Sequence, residues 1–188
     1  MATWILIGVV LVVLVYAVAL YNRLVRLRAL VREGWSGITV QLRRRADLVP
    51  NLVATVEGYA AHEKGVLDAV TAHRSDAIAA QGVDATARAD AQFSGLLGKL
   101  VAVAEAYPEL KADANFRQLQ DELSEIEEQL SGARRYYNAT VRDLNTGVQS
   151  FPATLIARPM GFHEEESYAD DVAALQTAPT VRFGAPGK

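Results

Sequence analysis

From Ala2 to Asn22 the chain carries no ionisable side chain, and twelve of the residues between Trp4 and Tyr21 are Ile, Leu or Val. No other feature constrains the fold as strongly. A helix of that length, at about 1.5 Å per residue, reaches roughly 31 Å and so matches a hydrocarbon core. At about −0.3 to −0.6 kcal/mol per aliphatic residue, the twelve contribute on the order of −5 kcal/mol to insertion. Trp4 and Tyr21 lie at the two ends, where amphipathic rings prefer the headgroup level, which makes them the expected membrane-interface residues. The rival reading is a cleaved signal peptide, since Ala17-Val18-Ala19 has the small-x-small form. Against cleavage, no Lys or Arg precedes the apolar run, which continues through Leu20 and Tyr21. A retained anchor is expected.

Charge is distributed asymmetrically around this segment. Residues 23 to 50 hold seven Arg and two acids, a local charge of +5, while residues 51 to 188 hold 12 basic and 20 acidic residues. Arg23, Arg26, Arg28 and Arg32 follow the apolar run directly. Short flanks rich in Arg resist translocation, which predicts the N-terminus outside and the rest of the chain in the cytoplasm. A periplasmic domain is the alternative.

Few prolines and aromatics, with abundant Ala, exclude a turn-rich sandwich and favour an all-α fold. Apolar residues keep helical spacing after the anchor, at Leu24, Leu27, Val31, Trp35, Ile38 and Leu42, so the anchor is expected to run on into the aqueous domain. Pro50 should interrupt or kink that helix. Helical spacing resumes from Leu52 to Val70 and ends near Gln81-Gly82; a third helix is expected to start with Asp84 as its cap, and Gly95 and Gly98 within it to permit close helix approach. The most regular ladder is Phe116, Leu119, Leu123, Ile126, Leu130, Ala133, Tyr137, Val141, Leu144, Val148 and Phe151, with steps of three or four throughout, as in coiled-coil packing. The chain therefore divides into an anchor (1–22), a helical bundle (23–158) and an acidic, partly irregular tail (159–188).

The residues argue against an active site. With no Cys there is no thiolate nucleophile and no Cys-ligated metal. His62 and His73 are eleven residues apart, about 16 Å along a helix, too far to share a metal ion. There is no phosphate loop, nucleophile elbow or triad spacing. Neither a cofactor, a metal nor a small-molecule substrate is expected. Arg43, Arg44 and Arg45 form a basic run without interleaved aromatics on an acidic domain, which is a poor nucleic-acid signal; pairing with acidic faces of other bundle helices suits it better. Beside the ladder, Glu127 and Arg134 are seven residues apart, as are Asn138 and Asn145. Such polar repeats either form an interaction surface or serve hydrogen bonds within the domain.

The order of segments resembles the LemA family of bacterial membrane proteins. The matching residues include Tyr21-Asn22-Arg23-Leu24-Val25, Trp35-Ser36, the run from Gln41 to Val53, Gly58-Tyr59-Ala60, His62-Glu63, Tyr107-Pro108-Glu109-Leu110, Asn115-Phe116, Ala133-Arg134, Tyr137-Asn138, Asn145 and Phe151-Pro152. This resemblance covers about residues 4 to 183. It implies a single N-terminal span at the bacterial inner membrane, outside-to-inside, followed by an elongated bundle of long antiparallel helices. Some members are linked to magnetosome membranes and others are encoded beside membrane peptidases. Gly34 stands where relatives usually carry Ala, putting a flexible point before Trp35, and Glu128 where they often carry Asn. The expected function is a non-enzymatic membrane-anchored scaffold or adaptor that self-assembles, its partners being the lipid bilayer, further copies of itself and another membrane protein. A membrane-shaping protein and an accessory partner of a membrane peptidase are the alternatives. Arg43, Arg44, Arg45, Asn138 and Asn145 are the candidate interaction residues.

Overall fold

A computed structural model describes residues 1–168; the end of the tail, with Thr180 to Gly184, lies outside the described residues. Among the described residues six helices follow one another: α1 (Ala2–Glu57), α2 (Lys64–Ala79), α3 (Val83–Glu105), α4 (Pro108–Ala112), α5 (Ala114–Gln149) and α6 (Ala153–Ala157). The described residues contain no strand, and the all-α bundle expected from the sequence is what the chain forms.

Helix α1 runs unbroken for 56 residues. Residues 1 to 16 are exposed on every side, although their side chains are almost all apolar, a pattern that suits an apolar surrounding rather than water. From Leu24 onward one stripe turns inward. Leu24, Val31, Ile38, Arg45 and Leu52 are all buried and recur every seven residues, so four of the five are the apolar residues that such a stripe requires and the fourth position is an arginine.

Pro50 lies inside α1 and does not end it, contrary to the expected interruption. Proline at this position removes the N–H that would bond the carbonyl four residues earlier, that of Ala46. Arg74 of α2 supplies the substitute, donating from Nε to the Ala46 carbonyl oxygen at 2.6 Å. Replacing Arg74 by Met keeps the aliphatic stem and leaves that buried carbonyl unpaired. A loss of about 1–3 kcal/mol is expected, read as a lower urea midpoint for the full chain in detergent. The break in helix instead comes after Glu57, and α2 begins at Lys64.

α5 packs antiparallel along α1. Gly147 faces Leu24 and Leu27, Gly34 faces Tyr137, and Gly37 faces Ala133, while Arg44 Nη1 reaches Gln129 Oε1 at 2.9 Å further along. A methyl group at Gly34 would lie 3.1 Å from the Tyr137 Cα, and one at Gly147 would lie 3.0 Å from Leu27 Cδ1. Close helix approach therefore occurs at these two glycines. Gly95 and Gly98 face open space, so the expectation for them does not hold, and Gly34 is a packed helical position rather than a flexible point. Of the α5 ladder, Phe116, Ile126, Leu130, Tyr137, Val141, Leu144 and Val148 are buried, but Phe151 lies past the helix end and is 81% exposed.

α2 and α3 form a hairpin over the half of α1 and α5 farther from the apolar segment. Its turn uses Gly82 at φ +83°, a left-handed conformation open to glycine, and Gly82 rather than Asp84 occupies the cap position of α3. Asp84 falls in the first helical turn and accepts from Arg88 at 2.5 Å. α5 does have a side-chain cap, since Asp113 accepts from the Phe116 N–H at 2.9 Å. Two hydrophobic clusters result. One joins Leu24, Val31, Ile38, Leu130, Tyr137 and Val141; the other joins Val49, Leu52, Val56, Val70, Phe93, Leu100 and Phe116. After α6 the chain turns back without regular structure, and Phe162 and Tyr168 from this segment complete the first cluster.

Candidate functional site

Arg45 sits where the α1 stripe passes from one hydrophobic cluster to the other, and it is 1% exposed. A charge this deep requires partners. Its Nη2 pairs with Asp90 Oδ1, and its Nη1 donates to Glu127 Oε1 at 2.6 Å and to Ser94 Oγ at 2.9 Å. The guanidinium lies 5.3 Å from the Phe93 ring centroid. The second oxygen of Asp90, itself 2% exposed, accepts from Arg134 Nη2 and from the Tyr168 hydroxyl, the latter at 2.6 Å. Arg134 stacks 5.2 Å over the Tyr168 ring. Two guanidiniums thus face two carboxylates, and α1, α3, α5 and the segment after α6 all converge on Asp90.

For Arg134, burial opposes the charge, but the nearby Asp90 carboxylate together with Tyr168 and Glu127 outweighs it and holds the guanidinium above its ordinary range. The Tyr168 phenol is pushed well up, first by burial and then by Asp90, to which it donates. Each charged side chain of the cluster is paired with another member, although the buried Nε atoms of Arg45 and Arg134 have no hydrogen-bond partner among the described residues, and this suits fixing the register of four elements better than moving protons to a substrate.

The segment from Phe162 to Tyr168 is strapped to α5 by the two asparagines. Asn138 donates to the Tyr168 carbonyl at 3.1 Å and accepts from the Tyr168 N–H at 2.8 Å. Asn145 does the same for Glu165, at 2.9 Å each way. Seven residues of helix rise about 10.5 Å, and three residues of extended chain cover about 10 Å, so the asparagine spacing and the strap spacing coincide. Between them the Tyr137 hydroxyl donates to the Glu166 carbonyl at 2.8 Å. Burial, with the charges of Glu165 and Glu166, pushes the Tyr137 phenol up to about 12.

A pH dependence follows. An unfolded tyrosine releases its proton near pH 10, whereas folded Tyr137 holds its proton to about 12. The contribution of Tyr137 to folding stability should therefore be level below pH 10 and fall as pH rises from about 10 to about 12, because only the unfolded state loses the proton there. Tyr168 shifts in the same direction. Urea unfolding of Tyr137→Phe as a function of pH is expected to show a shallower alkaline decline.

The basic run divides among three surroundings. Arg43 is exposed at the rim of a groove of about 460 Å³ between α1 and the α2–α3 turn, Arg44 is exposed and bonded to Gln41 and Gln129, and Arg45 is buried. Trp4 and Tyr21 are exposed, at 78% and 41%, and the Tyr21 ring meets Phe162 at 5.6 Å. His62 precedes α2 while His73 lies within it, so the two do not share a helix face; His73 faces Asp76 at 3.6 Å. Among the described residues no three His, Asp or Glu come together as a metal site. Asp90, Ser94 and Tyr168 carry no direct signal in the sequence. The signal for them was indirect: Arg45 continues the seven-residue stripe of Leu24, Val31 and Ile38, so a counter-charge had to lie opposite it.

The LemA family model matches residues 34–183. The chain is 25% identical to magnetosome protein MamQ 2 of Paramagnetospirillum magneticum and 23% identical to magnetosome protein MamQ of Magnetospirillum gryphiswaldense, covering 81% of this chain and 66% of each relative. It is 25% identical to protein LemA of Metamycoplasma hominis, over 76% of this chain and 65% of that protein. The alignments thus span just under two thirds of each relative's length. The matched region includes Arg45, Asp90, Arg134 and Tyr168, the whole of the buried cluster, together with both asparagines that hold the strap, and the chain belongs to the LemA family.

Proposed function

We propose that the chain is a non-enzymatic scaffold or adaptor, anchored by α1 in the bacterial inner membrane with its N-terminus outside and its bundle in the cytoplasm, and assembling laterally with further copies. The observation that carries this reading is the continuity of α1. One unbroken helix joins an apolar segment exposed on all sides to the core of the bundle, so the bundle is held at a set distance from the bilayer, as a scaffold requires. The internal pairing of the buried charges supports a structural use of the polar residues. A membrane-shaping role is the second reading, favoured by the magnetosome proteins among the relatives.

Because the chain has no cysteine, a single Lys111→Cys on the exposed surface of the bundle reports its side. An impermeant maleimide is expected to label it only after cells are lysed; ready labelling in intact cells with a permeabilised outer membrane would overturn the orientation. For assembly, the mass of the detergent-solubilised chain is expected to exceed that of a monomer. Arg43 and Arg44 are exposed on an otherwise acidic domain, so Arg43→Glu with Arg44→Glu should yield smaller species with helicity retained. A monomeric unaltered chain would sink the self-assembly.

A further inference from the structure

The antiparallel course of α5 returns the chain to the place where α1 leaves its apolar segment. A concavity of about 340 Å³ there is lined from one side by Tyr16, Leu20 and Arg23 and from the other by Phe151, Pro152 and Ala153. Tyr16 and Leu20 belong to the uncharged run that ends at Asn22. Tyr16 precedes Tyr21 by five residues, about 7.5 Å of helix rise. The connection from Ser150 into α6 therefore stands level with residues of the membrane span itself.

The side chains at that level are wrong for water. Phe151 is 81% exposed, Leu155 65% and Met160 45%. α6 buries Ala153 and Ala157 against the bundle and turns Leu155 outward. Exposed arginines, Arg23, Arg26 and Arg158, accompany them, and Arg28 packs over Phe162 at 4.7 Å; Asp143 is the one acid lining the concavity. Aromatic and aliphatic side chains beside Arg are what the boundary between headgroups and acyl chains accommodates, at a depth of about 5–10 Å.

We infer that the α5–α6 connection is a second membrane contact, with Phe151 and Leu155 inserted at the headgroup–acyl boundary of the leaflet from which α1 emerges, and Arg23, Arg26 and Arg158 facing its phosphates. The inference rests on the reading of α1 as a membrane span. Two attachment points, unlike one, fix the rotation of the bundle about α1 and its tilt, so every copy presents the same side to its neighbours.

The test uses the full chain, carrying one introduced cysteine labelled with an environment-sensitive fluorophore, in phosphatidylcholine–phosphatidylglycerol vesicles containing lipids with a quencher at a shallow or a deep position. Val12→Cys reports the span, Phe151→Cys and Leu155→Cys the proposed contact, and Lys111→Cys, exposed on α4 at the end of the bundle away from the apolar segment, the aqueous side. Phe151 and Leu155 probes are expected to be quenched by the shallow quencher at least about twofold more than the Lys111 probe, and Val12 most by the deep one. If Val12 is quenched while Phe151 and Leu155 match Lys111, the second contact is wrong and the span stands. If Val12 is not quenched, the span itself fails. Blue-shifted Phe151 fluorescence without lipid quenching, with energy transfer between labelled copies, would show a second copy covering these residues and overturn the inference.

Discussion

Replacing Asp90 by alanine is expected to destabilise the folded chain by about 3–5 kcal/mol, because it strands a guanidinium in the interior. Asp90 is 2% exposed and receives Arg45, Arg134 and the Tyr168 hydroxyl. Arg134 keeps a route to water, with 24% of its side chain exposed; Arg45, at 1%, has none. Glu127 still faces Arg45 after the substitution, at 2.6 Å, and with its side chain 40% exposed it offsets only part of the loss. The measurement is urea unfolding of the full chain in detergent, with the double variant Arg45→Met and Asp90→Ala alongside. Removing both charges should recover much of the lost stability, since the cost lies in the unpaired ion and not in the absence of the pair. Equal destabilisation by the double variant would show that packing around Arg45 matters more than its charge.

Truncating Leu130 to alanine is the second large effect, about 2–5 kcal/mol. Leu130 is wholly buried in the cluster with Val31, Ile38 and Tyr137, where the pairing of two long helices leaves little freedom to collapse around a void. Phe151→Ala is the matched comparison: it removes a larger side chain from the same apolar ladder, yet Phe151 is 81% exposed and leaves no cavity in the core, so its effect on unfolding should be well below that of Leu130→Ala. A Leu130→Ala chain that unfolds at the unaltered urea midpoint would mean that the ladder is not the core.

The contrast between Leu130 and Phe151 shows what periodicity can convey. Spacing assigns residues to a helix face, and α5 from Phe116 to Val148 obeys it because one neighbour, α1, covers that face for most of its length. It cannot say where the helix itself stops, so Phe151 continues the pattern past Gln149, the last residue of α5. Pro50 shows the same gap. The missing N–H is a property of the residue, whereas the rescue of the Ala46 carbonyl by Arg74 depends on a side chain 28 positions away. The glycines divide likewise: Gly34 and Gly147 look no different in sequence from Gly95 and Gly98, and only the crossing of α1 and α5 selects the first two.

Local chemistry and period are therefore what the amino-acid order determined unaided: the uncharged run that forms the apolar part of α1, the helical class, the long ladder of α5, and the match of the Asn138–Asn145 spacing to some partner. Those features depend on residues within a few turns of one another, where covalent geometry makes sequence distance and spatial distance equivalent. Tertiary structure alone decided which partner each repeat meets. It sent Arg45 inward to Asp90 and left Arg43 and Arg44 outside, spent the two asparagines on the chain's own backbone at Glu165 and Tyr168, and brought Phe151 level with Tyr16. Each of those outcomes rests on contacts between residues 20 to 135 positions apart, whose proximity is set by how long helices pack and not by any property of the residues taken singly.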